Sequence, residues 1–163
     1  MRVAETVRIE VQGVKQTLRQ LRKLDPELRK QFNKDARRVV QPLMDDARRR
    51  YTEVPLSGFN RKWRGITPRT IGRYRSGVSF RVNTSDKRGA VFTVLQRNAA
   101  ASVFDMAGRK GSNELSRSLE KAGWGQASRV MWPAAENKGD EAVDALMDLV
   151  DEVSRRVDQE MSM

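Results

Sequence analysis

An apolar stripe in the first third of the chain constrains the fold more than any other feature. Leu28, Phe32, Ala36, Val39, Leu43 and Ala47 follow one another at steps of 4, 4, 3, 4 and 4. Apolar residues recurring at three and four positions share one side of an α-helix. Residues 26–50 therefore read as one long helix, on the order of six turns. Asp25, Pro26 and Glu27 form its start signal: a side-chain cap, a proline whose missing N–H costs nothing there, and an acid in the first turn. Pro42 lies inside the pattern and predicts a kink, because its ring crowds the preceding turn. Between the apolar positions stand Arg29, Lys30, Lys34, Arg37, Arg38, Arg48, Arg49 and Arg50, so the solvent side of this helix is strongly basic.

A second stripe closes the chain. Val143, Leu146, Val150, Val153 and Val157 step by 3, 4, 3 and 4, which predicts a packed C-terminal helix. Pro133 is well placed near its start, and Val130 to Trp132 ahead of it read as a short strand. The charge of this segment opposes that of the rest. Residues 1–138 hold 30 Lys/Arg against 13 Asp/Glu, a balance of +17, while residues 139–163 hold 2 against 8, a balance of −6. Together they make the net +11 of the 163-residue chain. Asp144, Asp148, Asp151 and Glu152 fall on the more solvent-facing positions of the acidic helix. Such a segment can pack on its own basic body or meet the basic face of a neighbouring copy.

Strands are fewer. Val7, Ile9 and Val11 alternate with Arg8 and Glu10, the period of a half-buried strand. Val14, Leu18, Leu21 and Leu24 then fall at helical spacing. Val78, Phe80 and Val82 alternate, "NTSDKRG" turns, and Val91, Thr93 and Leu95 read as the inward face of the return strand. "AAASVFDMAG" reads as a third strand or a sheet edge, and "NELSRSLEKAG" as a short helix capped by Ser112 or Asn113 and stopped by Gly123. The fold class is α+β, a single domain over residues 1–163. An N-terminal strand and a central β-hairpin form a small antiparallel sheet, packed with the long kinked basic helix and the acidic C-terminal helix.

Residues 52–76 show no period and carry six Lys/Arg against Glu53 alone, a long basic loop. Arg61, Lys62, Trp63, Arg64, Arg69, Arg73, Tyr74 and Arg75 mix cations with aromatics. That mixture can follow a nucleic-acid backbone and stack bases. It serves equally as an interface loop, since Arg, Trp and Tyr anchor protein contacts. The two readings stand level.

Catalytic chemistry finds little material. The chain has no His and no Cys, which removes the usual general base and the commonest soft metal ligands. Asp45 and Asp46 are adjacent on a helix and point about 100° apart, so they do not converge and read as a solvated helix end. "GRKGSNE" reads as a surface turn ahead of the following helix. Phe104, Met106, Trp124, Met131 and Trp132 read as core, with one or two exposed for assembly. The expectation is no enzyme, no cofactor and no metal. No run approaches the roughly 20 apolar residues of a membrane span, and the start of the chain has no secretory h-region.

In order, these pieces resemble the tail-completion, or head–tail joining, proteins of long-tailed bacteriophages. That family opens with a strand, a glycine, a short leucine helix and a "Leu-Pro-x-x-Leu/Val-Arg" junction into a long basic helix. Gly13, Leu18, Leu21, Asp25, Pro26, Leu28 and Arg29 stand in those places. Val103, Phe104, Asp105, Ala107 and Gly108 are similar to its "EFAG" segment, with Asp105 where the family has Glu. Met131, Trp132, Pro133, Ala134 and Ala135 are similar to its "P-F-L-x-P-A" turn into a C-terminal helix. The resemblance implies a structural subunit of the virion neck, assembled in the cytoplasm of a bacterial host. It would form a cyclic homo-oligomeric ring that joins the DNA-filled head to the tail. Its partners would be its own copies, the connector or stopper, and the tail terminator or tail tube, with DNA passing through the channel. The acidic helix would then pair with the basic face carrying Arg29, Lys30, Lys34, Arg37 and Arg38, within or between copies, or line the ring lumen. The alternative is a basic nucleic-acid-binding protein that acts on DNA without catalysis.

Overall fold

The computed structural model describes residues 6–10, 14–24, 26–51, 71–83 and 91–162. Strand β1 (Thr6–Glu10) leads to helices α1 (Val14–Leu24), α2 (Pro26–Val39) and α3 (Gln41–Arg50). Helix α4 (Ile71–Gly77) runs directly into β2 (Val78–Asn83), which is followed by β3 (Val91–Gln96). Three helices complete the chain: α5 (Ala99–Met106), α6 (Glu114–Lys121) and α7 (Met131–Met161). The fold is α+β, with a three-stranded antiparallel sheet in the order β1-β3-β2.

The long basic helix is kinked where proline predicts. α2 and α3 meet at Val40, and Pro42 lies in the first turn of α3. The ladder continues through Val40, whose N–H reaches Ala36 at 3.2 Å and whose carbonyl accepts from Met44 at 3.2 Å. Pro42 has no N–H to donate one turn back, so the chain bends there. The bend also shifts the inward stripe. Phe32, Ala36, Leu43 and Ala47 are buried as expected, but Val40 and Met44 are fully buried while Val39 is only partly so. The cap expected at Asp25 lies outside the described residues.

In the sheet, Phe92 of β3 stands opposite both Ile9 of β1 and Val82 of β2. Residues directly opposite in an antiparallel ladder share a face. The inward face of β3 is thus Phe92, Val94 and Gln96, all fully buried. The expected face of Val91, Thr93 and Leu95 is out of phase by one residue. Phe92 packs on Phe80, with ring centroids 6.0 Å apart, and on Phe32 of α2 at 6.3 Å.

Two expected strands are helical. "AAASVFDMAG" forms α5, because Asn98 accepts from the N–H groups of Ala100 and Ala101 at 3.0 and 3.1 Å. A capping Asn followed by three alanines is a helix signal that the apolar run conceals. Val130 to Trp132 likewise enters α7. The predicted cap of α6 is present: Asn113 Oδ1 accepts from Ser116 N–H at 2.8 Å and Ser116 Oγ returns the bond to Asn113 N–H at 2.9 Å. Gly123 follows α6 at φ 84°, a conformation that suits glycine.

Helix α7 has 31 residues and is roughly 45 Å long. It packs on α1, α2, α3 and β1. Leu146, Val150 and Val157 of the predicted stripe are buried, with Ala142, Ala134 and Met131 extending it toward the start. Thr17 Oγ1 and Ser154 Oγ, 2.9 Å apart, join α1 to α7. No helix among the described residues is long and apolar enough to cross a membrane.

Candidate functional site

The first amides of a helix need acceptors from outside it. Val130, which precedes α7, has no side chain that can supply one. Asp105, at the end of α5, does so from 25 residues upstream. Its Oδ1 accepts from Val130 N–H at 2.6 Å and its Oδ2 from Met131 N–H at 3.1 Å, while its own carbonyl accepts from Ser128 N–H at 2.6 Å. Arg129 closes the lock in the opposite direction. Its Nη1 donates to the carbonyls of Phe104 and Ala107 at 2.8 and 3.0 Å, and its Nη2 to Gly125 at 2.9 Å. The carboxylate thus holds the start of α7, and the guanidinium holds the end of α5.

Aromatic rings pack around this joint. The guanidinium carbon lies 5.7 Å from the Phe104 ring centroid, and Trp124 meets Phe104 edge to face at 5.3 Å. Burial pushes the Asp105 carboxyl above its ordinary value, and the backbone donors at Val130, Met131 and Arg129 with the Arg129 charge pull against that. Burial likewise lowers Arg129, with Asp105 and Glu120 opposing. Both carboxylate oxygens already accept backbone N–H groups, and the residue is fully buried. Its geometry suits joining two helices, with no room for a substrate.

Two charged faces lie away from this joint. On α7, Asp144, Asp148, Asp151 and Glu152 are all exposed, on the side opposite buried Leu146 and Val150. Glu152 pairs with Arg156 on the same helix, whereas the three aspartates have no cationic side-chain partner among the described residues. On α2, Lys30, Lys34, Arg37 and Arg38 are exposed opposite buried Phe32 and Ala36; Arg29 is half-buried beside the core, so it leaves the expected solvent face. Gln31, Lys34, Asp35, Arg37, Arg38 and Gln41 line a shallow cleft of about 360 Å³ there. The ion pairs found among the described residues join positions three or four apart within one helix. Intrachain pairing of the acidic face with the basic face is therefore not seen among them.

Of the predicted basic loop over residues 52–76, only residues 71–76 are described, and they belong to helix α4 instead of a loop. Arg61, Lys62, Trp63, Arg64 and Arg69 lie outside the described residues. Arg73 and Arg75 are exposed on α4, and Arg75 Nε donates to the Tyr51 carbonyl at 3.3 Å. Tyr74, expected at an interface, is instead 3% exposed. The helical turn of α4 sends it inward between the two arginines, and its carbonyl accepts from Gln96 Nε2 at 2.9 Å. Of the final-third apolar residues, Phe104 and Met131 are buried, Met106 and Trp124 half-buried, and Trp132 is 58% exposed.

Asp45 and Asp46 diverge as their adjacency requires, but Asp46 is not a solvated end. Asp45 accepts from Gln41 and Arg48, and Asp46, only 7% exposed, accepts from Arg50 Nε at 2.7 Å and Arg49 at 3.4 Å. Burial raises the Asp46 carboxyl, but Arg50, Arg49 and Asn137 outweigh it, and the group rests below its ordinary value of 3.8. A depressed carboxylate stabilises the fold above its unfolded pKa, and that contribution is lost as pH falls through the folded value. Urea unfolding of wild type and Asp46→Asn across a pH series should show a constant stability gap near neutrality. The gap should shrink as the pH drops below the ordinary value of 3.8.

Among the described residues no group of three or more His, Cys, Asp or Glu is placed to hold a metal ion. Comparison with protein-family models, curated proteins and solved structures finds no match to this chain.

Proposed function

We propose that this chain is a structural subunit of a bacteriophage neck, forming an oligomeric ring that joins the DNA-filled head to the tail without catalysis. One observation carries the reading. The two segments that resemble the family's landmarks, around Asp105 and around Pro133, are joined directly by the Asp105 and Arg129 bonds at the head of α7. Segments far apart in sequence form one buried joint, and it fixes a long helix whose outer face is acidic on a basic body. A rigid subunit with opposed charged faces suits repeated contact with copies of itself and with neck partners.

Deleting the gene from the phage that carries it is the direct test. Electron microscopy of the lysate should show filled heads beside unattached tails, and normal virions would sink the assignment. A second reading, a nucleic-acid-binding protein, is favoured by the exposed Lys30, Lys34, Arg37 and Arg38. It requires duplex affinity that falls steeply with salt.

A further inference from the structure

The acidic and basic faces carry the same spacing. Asp144, Asp148 and Asp151 step by 4 and 3 along α7, and Lys30, Lys34 and Arg37 step by 4 and 3 along α2. At the rise of an α-helix each ladder covers roughly 10 Å. Both helices turn their apolar sides into the same core, so both ladders point outward from it. The three aspartates, Lys34 and Arg37 have no oppositely charged partner among the described residues, and Lys30 reaches only Glu27, 3.5 Å away and itself exposed.

We infer that these faces are the two halves of one heterologous contact, in which the α7 ladder of one copy docks on the α2 ladder of the next. The occupant is a second copy of this chain, because each face supplies, at the same spacing, the charge that the other lacks. An apolar group accompanies the charge. Met147, 49% exposed, stands beside the aspartates, and the cleft between Lys34 and Arg38 offers a recess on the opposing face. Different patches meet, so the contact repeats head to tail instead of closing as a two-fold dimer. The inference stands on the charges and spacing alone and does not need the neck assignment.

Ionic strength acts on this contact in two directions. Copies of net charge +11 repel one another at long range when salt is very low. Ion pairs at the contact are weakened when salt is high. Association should therefore be strongest near 0.1 M salt, where the screening length is about 10 Å, and should be lost near 1 M, where it is about 3 Å.

The test is sedimentation velocity on three proteins: wild type, Asp144→Lys/Asp148→Lys/Asp151→Lys, and Lys30→Glu/Lys34→Glu/Arg37→Glu. Wild type should self-associate, and each variant alone should associate at least about tenfold more weakly. An equimolar mixture of the two variants should recover, because the reversed faces complement each other again. All six side chains are exposed, so circular dichroism should show both variants folded. If reversal unfolds either one, Asp→Asn and Lys/Arg→Gln sets at the same positions should still weaken association. A monomeric wild type, or a mixture no better than its components, overturns the inference. So does a Lys30/Lys34/Arg37 variant that loses duplex DNA binding yet associates normally.

Discussion

Replacing Asp105 with alanine is expected to destabilise the fold by about 3 kcal/mol, lowering the thermal midpoint by roughly 6–12 °C. The cost comes from two amides left without an acceptor and one cation left without its main counter-charge. Val130 and Met131 N–H, at 2.6 and 3.1 Å from the carboxylate, lose a charged acceptor at a buried helix start. Arg129, drawn partly out of water, loses the stronger of its two opposing charges, with Glu120 remaining. Asp105→Asn separates these contributions. An amide can accept from one backbone N–H, but its NH₂ then faces the other, so the loss should fall between wild type and alanine. Amide hydrogen exchange locates the effect: the first turns of α7 and the Arg129 segment should lose protection before the sheet does. A uniform loss of protection across the molecule would show that Asp105 does not act through the α5–α7 joint.

That joint also marks the limit of what the sequence discloses. Both of its halves are legible as local patterns, since "VFDMAG" and "VMWPAA" each stand out as apolar segments near turn residues. Their contact is not, because nothing periodic relates residue 105 to residue 130. Long periodic segments fared best. The stripe from Leu28 to Ala47 and the one from Val143 to Val157 both became packed helices, and Pro42 gave its kink. Short apolar runs misled in two ways. "AAASVF" was readable as a helix only through Asn98 as its cap. In β3, "VFTVLQ" is apolar at successive positions, so its alternation has no visible phase until Ile9 and Val82 fix Phe92 inward. Tyr74 shows the same limit at the candidate site. In a run of arginines it reads as an exposed aromatic anchor, and only the direction of one helical turn places it inside.

Gly77→Ala should reduce stability by about 2 to 4 kcal/mol, and the sign of this effect is the informative part. Gly77 ends α4, and alanine there would ordinarily stabilise a helix by up to about 1 kcal/mol. The position is closed by its neighbours. A Cβ at residue 77 would stand 1.9 Å from Gln96 Oε1 and 3.0 Å from the Asn98 backbone nitrogen. Gln96 cannot readily move aside. It is fully buried, its Nε2 donates to the Tyr74 carbonyl at 2.9 Å, and its Oε1 accepts from Asn98 N–H at 2.8 Å. Displacing it leaves buried polar groups unpaired and loosens the α4–β3–α5 corner, where Arg97 N–H also donates to the Gly77 carbonyl at 2.8 Å. A double-mutant cycle isolates the cause. With Gln96→Ala already present the 1.9 Å conflict is gone, and adding Gly77→Ala should then cost far less than it does in wild type. Equal cost in both backgrounds would place the strain at Asn98 instead, because its backbone nitrogen and Cβ, each 3.0 Å from the added methyl, are left unchanged by the double variant.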